Sequence, residues 1–165
     1  MGFVESFGHA MIQAFLEDSG LHYLRDRDGD FVVEFGYDEE VLGHPRFILV
    51  ASGDDGEQYC LRGLTMKRIP RHEWDRSLRL CNEWNAQYKL PKVYLEVDDP
   101  NASTSGQVIA EQWLNLAAGI HQELIDQMTS TFFTACFGFW RWLERQDALH
   151  ALGDDVTPDA LPDEG

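Results

Sequence analysis

Asp26, Asp28 and Asp30 alternate in the run DRDGD, and three such carboxylates could ligate a hard cation such as calcium. The spacing fails that test. Aligning Gly29 with the glycine of an EF-hand loop puts Leu24 at the first ligand and Phe35 at the bidentate acid, and neither side chain carries an oxygen. Asp-Gly between alternating apolar residues reads instead as an acidic hairpin turn. Asp54, Asp55 and Glu57, with Asp55-Gly56 among them, read the same way. His121 and Glu123 form the H-x-E of zinc deaminases, but no P-C-x-x-C follows, which leaves a polar pair on the first turn of a helix. His9, His22, His44, His72 and His150 are scattered, with no i, i+4 pair for zinc. G-x-S-x-G, the Walker loop and the dinucleotide fingerprint are all missing. No catalytic residue, metal ligand or cofactor site is therefore assigned, and the chain is read as a nonenzyme.

Cys60, Cys81 and Cys136 lie far apart and form no C-x-x-C. They read as buried reduced thiols of a cytoplasmic protein. The residues left for recognition are amides, aromatics and a few cations. Asn82, Trp84 and Asn85 stand near the end of a helix, where Trp84 can plug a sheet and the amides can satisfy backbone groups. The same three could form a small polar recognition site. Lys67, Arg68 and Arg71 make a local basic cluster in an acidic chain, either a solvated strand end or a dock for an acidic segment such as the chain's own tail.

The element that positions Asn82, Trp84 and Asn85 runs from Arg71 to Asp98. Trp74, Leu78, Cys81 and Trp84 or Asn85 recur three and four residues apart, a helical stripe with Leu80 beside it. Pro91 cannot continue a helix. After it KVYLEV alternates, with Val93, Leu95 and Val97 on one face and Lys92, Tyr94 and Glu96 on the other. Upstream, a helix over Val4 to Glu17 closes at Gly20, and four strands follow around the two Asp-Gly turns as an antiparallel meander. Downstream, DDPNASTSG is a loop, and QVIAEQWLNL is a strand that pairs antiparallel with the Val93 strand. In it Ile109, Glu111, Trp113 and Asn115 share one side. The last helix spans about His121 to about Arg145. Its core stripe is Ile120, Leu124, Met128, Phe132, Cys136, Phe139 or Trp140, and Leu143. Phe133, Phe137 and Trp142 fall outside that stripe, so the helix is either buried on several sides or docks a partner.

The 165 residues fit one domain, residues 1–146, followed by an acidic and disordered tail, residues 147–165, with two prolines. A hydrophobic content of 44% supports a core, and a net charge of −16 argues against nonspecific nucleic-acid binding. There is no basic region before an apolar core at the N-terminus. The apolar run Met128–Trp140 is too short for the about 20 residues of a membrane span.

The segment CNEWNAQYKLPKVYLE resembles the YbjN family, described as bacterial sensory transduction regulators. An Asn-x-Trp-Asn-like helix end and a Pro-Lys-hydrophobic strand carry the resemblance, here Asn82, Trp84, Asn85, Pro91, Lys92 and Tyr94. It extends in outline over most of the chain apart from the C-terminal tail. It implies an α+β fold like that of type III secretion chaperones, a curved antiparallel sheet with helices packed on it, in the order α-β-β-β-β-α-β-β-α. The function expected is a noncatalytic protein-binding or regulatory module, an adaptor or chaperone-like protein whose partner is another polypeptide or a second copy in a homodimer, with neither nucleic acid nor membrane. Phe133, Phe137, Trp140 and Trp142 are the expected intermolecular surface. The alternative is a small-ligand sensor with a pocket between the sheet and the last helix.

Overall fold

The computed structural model describes residues 2–154. Helix α1 (His9–Asp18) starts after Gly8, later than the apolar pattern from Val4 suggests. Phe3 and Val4 are exposed because the segment before Gly8 is held elsewhere: Glu5 bridges Ile120 through hydrogen bonds of 3.0 and 2.9 Å. Gly20, at φ 65°, supplies the left-handed stop.

A seven-stranded antiparallel sheet follows. Strands β1 (Leu24–Arg25), β2 (Phe31–Glu34), β3 (Arg46–Ser52) and β4 (Gln58–Leu64) form the expected meander. The chain then leaves the sheet at Thr65 and returns as β5 (Ile69–Pro70), a strand not anticipated, while Met66 takes φ 63°. A short 3-10 turn (Arg71–Glu73) leads into α2 (Trp74–Gln87), and β6 (Lys92–Glu96) comes after the cis Leu90–Pro91 bond. The long β7 (Ser105–Asn115) pairs with β4, β5 and β6. Leu24, Val32, Ile48, Arg62, Glu111 and Lys92 stand directly opposite one another in a row across β1, β2, β3, β4, β7 and β6.

All three helices contribute to one core with one face of the sheet. Phe31, Val33, Phe47, Leu49, Tyr59, Leu61, Val93, Val108 and Ala110 face inwards. The last helix, α3 (Gln122–Asp154), lies over β4 where Gly63 stands. A Cβ on Gly63 would come within 3.1 Å of Cys136 Sγ and 3.2 Å of the Phe47 and Trp140 rings, so the glycine permits the close approach. Tyr59 and Thr129 join sheet to helix inside this core. Their hydroxyls are 2.8 Å apart, and since Thr129 donates to Ile125 O at 2.8 Å, Tyr59 is the donor between them.

The stripe of α3 differs at its start from the expected one. Ile125 and Thr129 are buried where Leu124 and Met128 were expected, and Leu124 is exposed. In α2, Cys81 and Trp84 are buried, whereas Leu78 faces water and Ser77 is half-buried on the side towards the core. The last helix also continues beyond Arg145. The first residues of the expected acidic tail, from Asp147, are its last turns, and Asp147 pairs with Lys67 and Arg76. The rest of that tail lies outside the described residues. Among the described residues, no helix is long and apolar enough to cross a membrane.

Candidate functional site

The corner between α2 and β6 is built by three of the motif residues. Trp84 Nε1–H donates to Pro91 O at 3.2 Å, and its ring stacks on Tyr88 at 4.1 Å and meets Phe139 at 5.1 Å. Asn85 Nδ2 donates to Val93 O at 2.9 Å, while Val93 N–H donates to Asn85 Oδ1 at 3.0 Å. Both Val93 groups point away from β7, so the Asn85 amide takes the place of a neighbouring strand and closes part of the sheet edge. Pro91 is buried in the corner, whereas Asn82 is exposed and outside it. Through these bonds Trp84 and Asn85 tie the end of α2 to the start of β6.

Lys92 and Tyr94 point to the other face of the sheet, where they meet Glu111. That carboxylate is only 5% exposed and has four donors. Arg62 Nε donates to Oε2 at 2.9 Å and Tyr94 O–H to the same oxygen at 2.8 Å. Trp113 Nε1–H donates to Oε1 at 2.7 Å, and Lys92 Nζ lies 3.0 Å from it. Arg62 also donates to the Tyr94 hydroxyl at 2.8 Å. Burial alone would raise the Glu111 pKa, but hydrogen bonds from Arg62, Tyr94, Lys92 and Trp113 outweigh it and hold the group at about 2. Burial and Glu111 push the Tyr94 hydroxyl up to about 12 against the opposing effect of Arg62. A carboxylate this acidic is a poor proton acceptor at neutral pH, so the cluster is unsuited to general base catalysis.

The face around Glu111 carries no helix among the described residues. Its charged groups pair with one another: Arg46 with Glu34, Arg62 with Glu111 and Glu96, and Lys92 with Glu111. Three cations therefore balance three carboxylates, and the −16 of the chain resides elsewhere. Beside the charges lies an apolar strip of Leu24, Val32, Ile48 and Val50, and Val50, Cys60 and Trp113 stand opposite one another across β3, β4 and β7. Trp113 is 50% exposed although its indole N–H is held.

The four aromatics expected to meet a partner lie within the chain's own packing. Trp140 is 2% and Trp142 9% exposed. Phe133 stacks on Phe47 at 4.0 Å and meets Phe15 edge-on, and Phe137 meets Phe35 edge-on at 5.9 Å. Trp142 sits 5.5 Å from Trp84. The sheet, α1 and α2 each meet aromatics of α3, through Phe47, Phe15 and Trp84, which accounts for its wide apolar circumference.

The basic cluster divides. Lys67 Nζ donates to Glu144 at 2.8 Å and to Asp147 at 3.3 Å, so it docks an acidic stretch of the chain's own last helix. Arg68 donates to Ser105, and Arg71 donates to Ser103 O and lies 5.1 Å from the Trp74 ring centre. The Asp26, Asp28 and Asp30 carboxylates lie within 4.8 Å of one another. Asp26 Oδ1 accepts the amides of Asp28 and Asp30 at 2.9 Å each, the work of a turn. Burial, with Glu111 nearby, pushes the Cys60 thiol up to about 12, and burial raises Cys81 to about 11 and Cys136 well above its ordinary value, so all three stay protonated. Between sheet and last helix, the cavity lined by Val41, Ile69, Val108 and Trp140 measures about 10 Å³, room for about one water.

Sequence reasoning put Glu111 and Trp113 on one side of their strand but did not single them out. What it lacked was the register that brings Arg62 and Lys92 opposite Glu111.

No curated protein sequence matches the chain. Among solved structures it is similar to E. coli YbjN, titled "a putative transcription regulator", with a TM-score of 0.70 over 88% of this chain and 97% of that one. At 10% identity that likeness concerns the fold, which it supports as mixed helix and antiparallel sheet. The family model described as "Putative bacterial sensory transduction regulator" matches residues 9–145, and the chain belongs to this YbjN family.

Proposed function

We propose that the protein is a noncatalytic regulatory module that works by docking another polypeptide on the uncovered face of its sheet, as an adaptor or chaperone-like protein. The observation that carries this reading is the face itself: charge-neutral, partly apolar, with Trp113 half-exposed and fixed by Glu111. A rigid aromatic surrounded by satisfied polar groups is the chemistry of an interface hot spot. The polar groups around Glu111 are committed to one another, which suits contact by shape and apolar area rather than the reading of a polar ligand. The small-ligand sensor reading is less favoured, because the cavity between sheet and last helix holds about one water. Addition of a strand at β6 is likewise disfavoured near Val93, whose backbone groups Asn85 occupies. The family's description as a regulator accords with a binding role.

The test is affinity capture from source cells with wild type, Trp113→Ala, Ile48→Glu and a control change at exposed Leu149. A discrete partner held by wild type and the control, and lost from both sheet-face variants, is the expected result. Equal capture by all four proteins would remove the sheet face as the site.

A further inference from the structure

The face has two unlike ends, and one of them selects its occupant. Because β1 to β4 form a meander, the β1–β2 and β3–β4 turns lie at the same end of the sheet, and β7 ends there with Asn115 opposite Gln58. The two turns bring six carboxylates to that end: Asp26, Asp28, Asp30, Asp54, Asp55 and Glu57. Only Arg25 and Arg27 oppose them within these segments, and the Arg25 guanidinium is committed to Gly29 O at 2.7 Å and to the face of the Phe31 ring. Burial, and after it the neighbouring Asp26 and Asp28, raises the Asp30 pKa against the opposing effect of His9 and Arg25. Val50, Cys60 and Trp113 form the row of the face next to this end, two residues from the last strand pair, Ser52 with Gln58. At about 3.3 Å per residue, the apolar row lies about 7 Å from that last pair, with Asp54, Asp55 and Glu57 in the turn beyond it.

We infer that the occupant of the uncovered face is a basic amphipathic polypeptide segment, its apolar side on Val32, Ile48, Val50 and Trp113 and its Lys or Arg side chains at the two acidic turns. This rests on the docking reading of the same face. Charge complementarity favours such a segment over a second copy, because a chain of net charge −16 whose cations on this face are already paired brings few cations to meet the turns. An acidic or uncharged segment would meet the apolar row but gain nothing from the turns.

The probes are three synthetic amphipathic peptides with one shared apolar side and Lys, Gln or Glu at the polar positions. Each is titrated by fluorescence anisotropy into the full chain, into Trp113→Ala, and into a turn variant combining Asp54→Asn, Asp55→Asn and Glu57→Gln. The Lys peptide is expected to bind about tenfold or more tighter than the others, to weaken with added salt, and to lose about tenfold in the turn variant, whose melting temperature does not fall below that of wild type. Equal binding of the three peptides, or an unaffected turn variant, would overturn the basic chemistry, while a loss in Trp113→Ala would still uphold the docking face. Undiminished binding by Trp113→Ala would overturn the face itself. Concentration-dependent dimerisation abolished by Trp113→Ala would replace the basic segment with a second copy.

Discussion

Glu111 shows how a single side chain can be costly to bury and still stabilise. Its folded pKa of about 2 lies below the ordinary glutamate value of 4.5, so its contribution is complete above that ordinary value and is lost as pH falls towards about 2. The gap corresponds to about 3 kcal/mol, an upper figure because Lys92 and Arg62 are partly solvated. Glu111→Gln is therefore expected to lower stability at neutral pH by about 1–3 kcal/mol, and its deficit relative to wild type should shrink as the medium is acidified below pH 4.5. Denaturant unfolding of both proteins across that range checks it, and a constant deficit would show that the charge is not the cause. A second pair isolates a hydrogen bond in the core. Thr129→Val leaves the buried Tyr59 hydroxyl without its acceptor and should cost about 1–3 kcal/mol. Tyr59→Phe leaves Thr129 bonded to Ile125 O and should cost less, about 1 kcal/mol. At this scale, composition could not show which acid was buried: Glu111 is one of 29 acidic residues, and only its neighbours across the sheet distinguish it.

At the scale of elements, the sheet and its helices were readable where a local signal decides them. The Asp-Gly turns, the alternation after Pro91 and the stop at Gly20 all have counterparts in the structure. Helix ends governed by distant contacts were not readable. Glu5 is drawn to Ile120, which removes the apolar residues Phe3 and Val4 from the first helix, and Asp147 is held by Lys67 and Arg76, which extends the last one. The wide apolar girth of α3 pointed equally to burial and to a partner; in the structure Trp140 and Trp142 are buried within the chain, and Phe133 and Phe137 are half-buried against the same core. Trp142→Ala is accordingly expected to lower stability by about 3–5 kcal/mol, read by denaturant unfolding. Gly63→Ala tests the seat of the same helix. The new methyl meets Cys136, Phe47 and Trp140, all buried, and should cost about 1–3 kcal/mol. Combining it with Cys136→Ala should recover part of that loss, since the two sites share one space. Strict additivity of the two changes would mean that the contact at Gly63 relaxes by another route.

For the whole molecule, the distribution of charge matters more than its sum. The chain has 29 acidic and 13 basic residues, and its uncovered sheet face is neutral because its charges are paired there. The excess negative charge thus lies on the rest of the chain, and among the described residues the two turns carry six of its carboxylates. Composition gave the excess, but the neutral face could not be read from it, since the strand pairing decides which signs meet. Added salt acts on both parts in opposite directions. It screens the repulsion among unpaired carboxylates, which destabilises the compact state, and it weakens ion pairs such as that of Arg141 with Glu40 at the surface. The exposed pairs contribute little each, about 0–1 kcal/mol, and the Glu111 cluster is sheltered from salt by burial. Relief of repulsion should win. The melting temperature is expected to rise between low and moderate sodium chloride, by about 2–4 °C for each kcal/mol relieved. The turn variant Asp54→Asn, Asp55→Asn, Glu57→Gln should rise less than wild type, because it has already lost part of the repulsion. A fall with salt in wild type would instead assign the dominant electrostatic role to the ion pairs, the pairing of α3 with Lys67 and Arg76 foremost among them.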